Sequence, residues 1–349
     1  MLEEMKQISI AVLNYNGKDY LEETFDSINV LDYPAKELLM VDDGSTDGSI
    51  EFVRGNYPNV RIIEMGSNTK MLNKVRNRAL REAGSDYVLI TDNDIAFAPD
   101  CLSILVGKMM SLRDVAVLTP RVMYEENKRR IYIDHNEFHY VCASIDKYRD
   151  KGLQEIIQSG EPSVTFGCGI MLIDKAKIRR RGLGFFDEDY PMGWGDDGEF
   201  HHRVNLSGLR CYAIPQAMVY HKAIRGAPRI YGQLLNRWSM IIETYAWRTV
   251  VVFGPALILY ECVLLAGIIL KGRGREYLRA VMTLIRNLPI LLKKRKQVFE
   301  YKTEQDRHLL TSGQIYAPAS FLSYSLVRIG WTIVNIALNG YWHIARRFI

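Results

Sequence analysis

The chain has 349 residues with 45 Lys+Arg against 40 Asp+Glu, a formal net charge of +5; that length holds one large domain or two ordinary ones with ample core. Five cysteines, at positions 101, 142, 168, 211 and 262, form no C-x-x-C and no zinc spacing. This points to a reducing compartment and excludes a disulfide scaffold or a zinc module.

Met1 to Gln7 carry no basic run ahead of an apolar core, so no signal peptide is expected. Ile8–Leu13 reads as a buried strand ending in Asn14-Tyr-Asn-Gly17, and residues 18–30 follow as a helix with Leu21, Phe25 and Ile28 among its apolar positions. Leu38–Val41 is a second strand ending in Asp42-Asp43, with a helix from about Ser49 capped by Asp47. Arg61–Glu64 is a third strand and residues 70–83 a third helix. An apolar run, Tyr87 to Ile90, then ends in Asp92-Asn93-Asp94. Strands alternating with helices of about a dozen residues predict an α/β fold with a doubly wound, mainly parallel sheet. Ligands bind such sheets beyond the carboxyl ends of the strands. Asn14, Asp42, Asp43, Asp92 and Asp94 are therefore expected to rim one crevice.

Strand alternation points Asp92 and Asp94 the same way. Two hard oxygen donors suit Mg²⁺ or Mn²⁺ on phosphate, not zinc. Asp-Asn-Asp is also good turn chemistry, and the spacing alone leaves both readings open. Asp42-Asp43 has the same two readings: a carboxylate that accepts from a nucleobase N–H or ribose hydroxyls, or a turn and helix cap. No G-x-G-x-x-G follows the first strand, which argues against a nicotinamide dinucleotide.

Val12-Leu-Asn-Tyr-Asn-Gly17, Val41-Asp-Asp-Gly-Ser-Thr-Asp-Gly48, Val75-Arg-Asn-Arg-Ala79 and Thr91-Asp-Asn-Asp94 occur in an order that resembles family 2 glycosyltransferases, inverting enzymes with a GT-A fold. Gly167-Cys-Gly-Ile-Met-Leu-Ile173 and Gly184-Phe-Phe-Asp-Glu-Asp-Tyr190 look like its rhamnosyltransferase-like branch, and the likeness spans roughly residues 8–225. The resemblance implies that Asp43 meets the base or ribose, that Arg76 and Asn77 lie near the nucleotide, and that Asp94 holds the metal under the diphosphate. It places Gly193-Trp-Gly-Asp196-Asp197-Gly-Glu199 on the family's acidic motif, with Asp197 as the catalytic base and Asp196 in place of the usual Glu. His221, ending Ala217-Met-Val-Tyr-His221, falls where related enzymes put a histidine that reaches the metal. The bland alternative for His221 is a structural strand-end histidine. His201-His202 matches no paired-histidine metal spacing and reads as packing. One departure stands out: the family reaches its Arg-Asn through small residues, whereas this chain has Thr69-Lys-Met-Leu-Asn-Lys74.

The back of the chain differs in kind. From Pro228 onward 17 Lys+Arg face 6 Asp+Glu, a net of +11, which leaves −6 on the first 227 residues. Ile230–Trp247 reads as an amphipathic helix, and Thr249–Leu270 is almost wholly apolar but holds Gly254-Pro255 and Glu261. A basic stretch containing Lys293-Lys-Arg-Lys296 follows, and residues 319–345 are again apolar. We expect a catalytic domain over 1–227 and a helical, membrane-associated region over 228–349, the alternative for the latter being a helical subdomain that covers the catalytic domain. Cations flanking apolar stretches favour lipid headgroups over nucleic acid. A loop between two spanning segments would place those cations outside, against the cytoplasmic bias of Lys and Arg. The expected arrangement is thus monotopic or re-entrant on the cytoplasmic face, with a nucleotide-sugar donor and a lipid-linked or polysaccharide acceptor. Two rivals are weighed. A sugar-phosphate nucleotidylyltransferase wants a Gly-rich, basic N-terminal loop, of which Asn14-Tyr-Asn-Gly-Lys18 supplies little. A non-catalytic sugar-nucleotide sensor has no need of carboxylates at both 94 and 197.

Overall fold

The structure, a computed structural model, describes residues 6–34, 36–156, 161–222, 229–316 and 325–349. The expected leaderless N-terminus, the boundary at 227–228 and the first residues of the 319–345 stretch lie outside the described residues.

β1 (Ile8–Asn14), α1 (Lys18–Asn29), β2 (Lys36–Asp42), α2 (Ser49–Asn56), β3 (Arg61–Glu64), α3 (Leu72–Glu82) and β4 (Tyr87–Asp92) alternate as the apolar pattern predicts. β1 is buried along its whole length because it is central, parallel to β2 on one side and to β4 on the other. β3 extends the parallel set beyond β2. The cap of α2 lies one residue later than expected. Gly48, at φ +83°, is the N-cap, a left-handed position that suits glycine. Asp47 instead accepts from the Ser49 N–H at 3.0 Å and the Lys18 N–H at 2.9 Å.

β5 (Ile95–Phe97), α4 (Cys101–Ser111), β6 (Val115–Tyr124), β7 (Ile131–Ile133), β8 (His135–His139), β9 (Ala143–Lys147), β10 (Ser163–Val164), β11 (Met171–Asp174), α5 (Lys175–Arg180), α6 (Gly198–Leu206) and β12 (Arg210–His221) follow. The main sheet has ten strands, with the spine β10-β12-β6-β11-β4-β1-β2-β3. The expectation of a mainly parallel sheet is corrected: the sheet is mixed. β11 runs antiparallel to both β4 and β6, and β5, β7 and β10 also pair antiparallel. The chain leaves β6 at its carboxyl end, folds β7 to β10 with no α-helix among the described residues between them, and re-enters from that end, which reverses β11.

α7 (Ile230–Thr244), α8 (Trp247–Leu270), α9 (Gly274–Tyr301), α10 (Asp306–Leu309), β13 (Leu310–Thr311) and α11 (Ser325–Ala345) complete the chain. β13 joins β8 and β9 in a small second sheet. α7 is buried along most of its length, and its Asn236 Nδ2 donates to the carbonyls of Pro191 and Trp194 at 2.9 and 3.1 Å. α8 runs unbroken through Pro255, where the sequence had allowed a break. Its Glu261 pairs with Arg237 of α7 and accepts from Trp238 Nε1 at 3.0 Å. α9 packs along α7. Two cations of its basic run are already committed. Lys294 reaches Asp187 and Asp189 at 2.5 and 2.8 Å, and Arg295 donates to the carbonyls of Ile242 and Tyr245.

Candidate active site

Strand register aligns the polar ends. Asn14 sits opposite Asp42, and Leu13 lies opposite Asp92, so three strand ends reach the same rim. A crevice of about 540 Å³ opens there, lined by Asn14, Asp43, Lys70, Asp92, Asp94, His221 and Arg229 among others. Asp42 is fully buried and does not line it. Its carboxylate accepts from Asn14 Nδ2, the Ser45 N–H and Ser45 Oγ, each at 2.7 Å. Asn14 in turn accepts from Asn93 Nδ2 at 2.6 Å. These contacts lock the two turns that carry the crevice. Asp43 borders the opening, and its two oxygens accept from the Thr69 N–H at 3.0 Å and Thr69 Oγ1 at 3.1 Å.

β4 delivers Asp92, and the tight turn into β5 delivers Asp94. Pairing of β12 with β5 sets His221 opposite Ile95, bringing His221 Nε2 to 3.1 Å from Asp94 Oδ2. Burial presses the imidazole down, but the hydrogen bond and charge of Asp94 outweigh it and raise its pKa above the ordinary value. Burial also lifts the Asp92 carboxyl above its usual range, against the pull of Arg76. Among the described residues no group of three or more His, Cys, Asp or Glu forms a metal cage. Asp94 and His221 are nevertheless two convergent donors.

α3 forms the other wall. Arg76 is buried at 3 % exposure, and its Nη1 donates to Asn73 Oδ1 at 2.9 Å and Asp196 Oδ2 at 3.1 Å. Asn77 is turned away from the crevice: it donates to the Phe186 carbonyl and Glu188 Oε1, each at 2.8 Å, and accepts from the Phe186 N–H. Asn73 ties the same helix to the carbonyls of Asp187 and Asp196 at 2.9 Å each. Thus α3 clasps the segment that leads into α6.

That segment ends in two unlike carboxylates. Burial raises the Asp196 carboxyl to about 6 although Arg76 draws it down. Asp197, at the N-cap of α6, caps with no side-chain bond. Its carboxylate faces Gly167: a Cβ there would lie 3.5 Å from Asp197 Oδ1. Two residues on, a Cβ on Gly169 would lie 3.3 Å from Asp92 Oδ2. The glycine pair lets Asp197 and Asp92 lie close against one short stretch of backbone. His201 and His202 are fully enclosed. His202 packs on Phe138 and Phe166, and burial drives its imidazole down to about 3.

Several residues here were missed from sequence. Thr69, Asn73 and Asn93 act through partners tens of residues away, and no local spacing announces them. Gly167 and Gly169 stood inside a quoted motif, but their effect on Asp197 and Asp92 required the fold.

Residues 9–180 match the family described as glycosyl transferase family 2. The chain is 25% identical over 242 residues to the chondroitin synthase of Escherichia coli, covering 62% of this chain and 34% of that protein. It is 22% identical over 237 residues to the N-acetylglucosaminyl-diphospho-decaprenol L-rhamnosyltransferase of Mycobacterium tuberculosis, covering 61% of this chain and 75% of that one. It is 26% identical over 167 residues to the poly(ribitol-phosphate) beta-N-acetylglucosaminyltransferase TarS of Staphylococcus aureus, covering 43% and 29%. The chain thus spans about a third of the length of the chondroitin synthase and of TarS. In fold it resembles the crystal structure of S. aureus TarS, with a TM-score of 0.55 at 17% identity over 95% of this chain and 54% of that one. GalNAc-T7 with UDP, GalNAc and Mn²⁺ gives a TM-score of 0.55 at 16% identity, over 70% and 49%.

Proposed function

Since the chain belongs, over residues 9–180, to glycosyl transferase family 2 and has the GT-A type of α/β fold with a mixed sheet, we propose that it is an inverting glycosyltransferase. It moves a sugar from a UDP- or dTDP-sugar to a hydroxyl of a lipid-linked or cell-surface polysaccharide acceptor, working at the cytoplasmic face of the membrane. The observation that supports the reading is the crevice at the strand ends, lined by Asn14, Asp43, Asp92, Asp94 and His221, with Asp197 and Asp92 set against neighbouring glycines 167 and 169.

In that crevice the acceptor hydroxyl attacks the anomeric carbon from the side opposite the diphosphate. Asp197 takes its proton as the new C–O bond forms and the bond to the diphosphate oxygen breaks. Asp196 and Arg76 hold the loop that presents Asp197. Asp43, fixed by Thr69, and the Asn14–Asp42 lock shape the nucleotide end. Asp94 and His221 fit Mg²⁺ or Mn²⁺: two convergent donors leave the rest of the shell to phosphate oxygens and water, as hard ions of this size prefer. Such an ion offsets negative charge on the departing diphosphate. GalNAc-T7, of like fold, carries Mn²⁺ with UDP, which supports the same class of ion here.

A donor screen tests this reading: UDP- and dTDP-sugars with membranes from the source organism, followed for nucleoside diphosphate release and lipid-linked product. The expected result is both, with inverted anomeric configuration. Release of pyrophosphate would make the chain a nucleotidylyltransferase, and donor binding without turnover would make it a sensor.

A further inference from the structure

Five described non-glycine residues have positive φ, and among them Lys70, at φ +56°, lines the crevice. The loop from β3 to α3 is fixed on both sides of it. Its own N–H donates to Asn68 Oδ1 at 2.7 Å, the Met71 N–H donates to Thr69 Oγ1 at 3.2 Å, and Thr69 is held by Asp43. Glycine would adopt this left-handed conformation without strain, whereas a side chain crowds the backbone there. Here the chain keeps a long cation at a position whose backbone favours glycine, and a strained residue beside a ligand crevice calls for a functional cause.

The charge of Lys70 is not used to hold the fold. Among the described residues its ammonium pairs with no carboxylate, and the acids of the crevice are engaged elsewhere: Asp43 by Thr69, Asp94 by His221, Asp92 beside Arg76. Lys70 and Asn68 of the loop line the same crevice as Asn14, Asp43, Asp94 and His221. Arg229 also borders the crevice. Resting on the donor reading above, we propose that Lys70 is a donor-binding residue whose ammonium contacts the diphosphate of the nucleotide sugar.

The test measures binding of UDP and dTDP, and of uridine and thymidine, to the full chain in Mg²⁺ buffer, by calorimetry and ligand-observed NMR. Lys70→Gly and Lys70→Met should each weaken nucleoside diphosphate binding by about 10- to 100-fold, the size of a lost hydrogen bond to a charged group. Nucleoside binding should not move, and Lys70→Arg should retain most of the affinity. Lys70→Gly should melt no lower than wild type, because it relieves the left-handed strain; a purely structural lysine would give the opposite sign. Equal loss for uridine would put the contact on the base or ribose and overturn the proposal. Unchanged diphosphate affinity in both variants would overturn it and leave the donor reading standing. Failure of the wild type to bind either nucleotide would overturn both.

Discussion

Asp196 and Asp197 are chain neighbours with opposite surroundings. Asp196 is buried on Arg76 at 3.1 Å, so its charge is spent on holding α3 to the α6 loop. Asp197 lies against Gly167, and its side chain makes no capping bond to α6; on the proposed function it is the base. Asp197→Asn should therefore leave nucleotide affinity unchanged and lower turnover by about 10²–10⁴-fold, the usual contribution of a positioned base. Single-turnover rates beside nucleotide binding check this; near-normal turnover in Asp197→Asn with a dead Asp196→Asn would move the base by one residue. A second prediction concerns Asp94 and His221. Excess chelator should abolish transfer, and added Mg²⁺ or Mn²⁺ should restore it, since a divalent ion acts on the leaving group more than on the fold. Asp94→Ala should weaken metal-dependent nucleotide binding while its melting temperature stays close to wild type. Full turnover in excess chelator would refute the metal assignment.

Elements differ in how far the sequence reveals them. β1, β2 and β4 were legible because buried parallel strands read as short apolar runs that end in polar residues. The same signal placed Asn14, Asp43, Asp92 and Asp94 on one rim. β6 was not legible: it is buried throughout but contains Pro120 and Arg121, and Arg121 is neutralised by buried Asp134 of a later turn. β8 and β9 pair locally but carry polar residues that blur the alternation, and β13 exists through its pairing of Leu310 and Thr311 with Phe138 and His139 far back in the chain. The roles of Thr69 and Asn73 are likewise tertiary. In α8, Glu261 stands out in an apolar run, but its partner, Arg237, emerges only from packing. Arg237 is 4 % exposed, so removing its counter-charge strands a cation. Glu261→Ala should cost about 3 kcal/mol, the lower end for a broken buried pair, read by urea unfolding. The double change Arg237→Met with Glu261→Leu should recover most of that loss. A Glu261→Ala chain as stable as wild type would show that the pair contributes little.

At the scale of the molecule, exposed large apolar residues are unevenly spread. Residues 6–222 expose Tyr15, Val30 and Met110, whereas the last helices expose Val251, Ile258, Leu270, Ile285, Ile333 and others. α8, 24 residues long with a mean hydropathy of 2.2 over its most apolar window, is long and apolar enough to cross a bilayer. Its contacts argue for another arrangement. Glu261 is held by Arg237, whose Nε donates to the Val141 carbonyl at 2.9 Å. Phe253 stacks with Tyr140 and Trp342, and Tyr341 Oη donates to the Val252 carbonyl at 2.7 Å. Tyr140 and Arg237 fasten the first part of α8 to neighbouring elements, and Tyr341 and Trp342 of α11 pack beside it. α9 then exposes Leu278, Met282, Ile285, Leu288 and Leu292 at 3- and 4-residue spacing, with exposed Arg275, Arg279, Arg286 and Lys293 beside them. An apolar stripe edged by cations suits a helix lying in an anionic interface. Tyr231, at the start of α7 beside Arg229, meets Thr283 at 3.2 Å and lies under Arg279, so this stripe sits close to the crevice mouth, where a lipid-borne acceptor would arrive. We predict that the chain lies on the cytoplasmic face without crossing the membrane. A single cysteine at position 293, in a background freed of the five native cysteines, should resist an impermeant maleimide in intact cells and react once they are opened. Labelling from outside intact cells would place the basic helix across the membrane and overturn the monotopic arrangement.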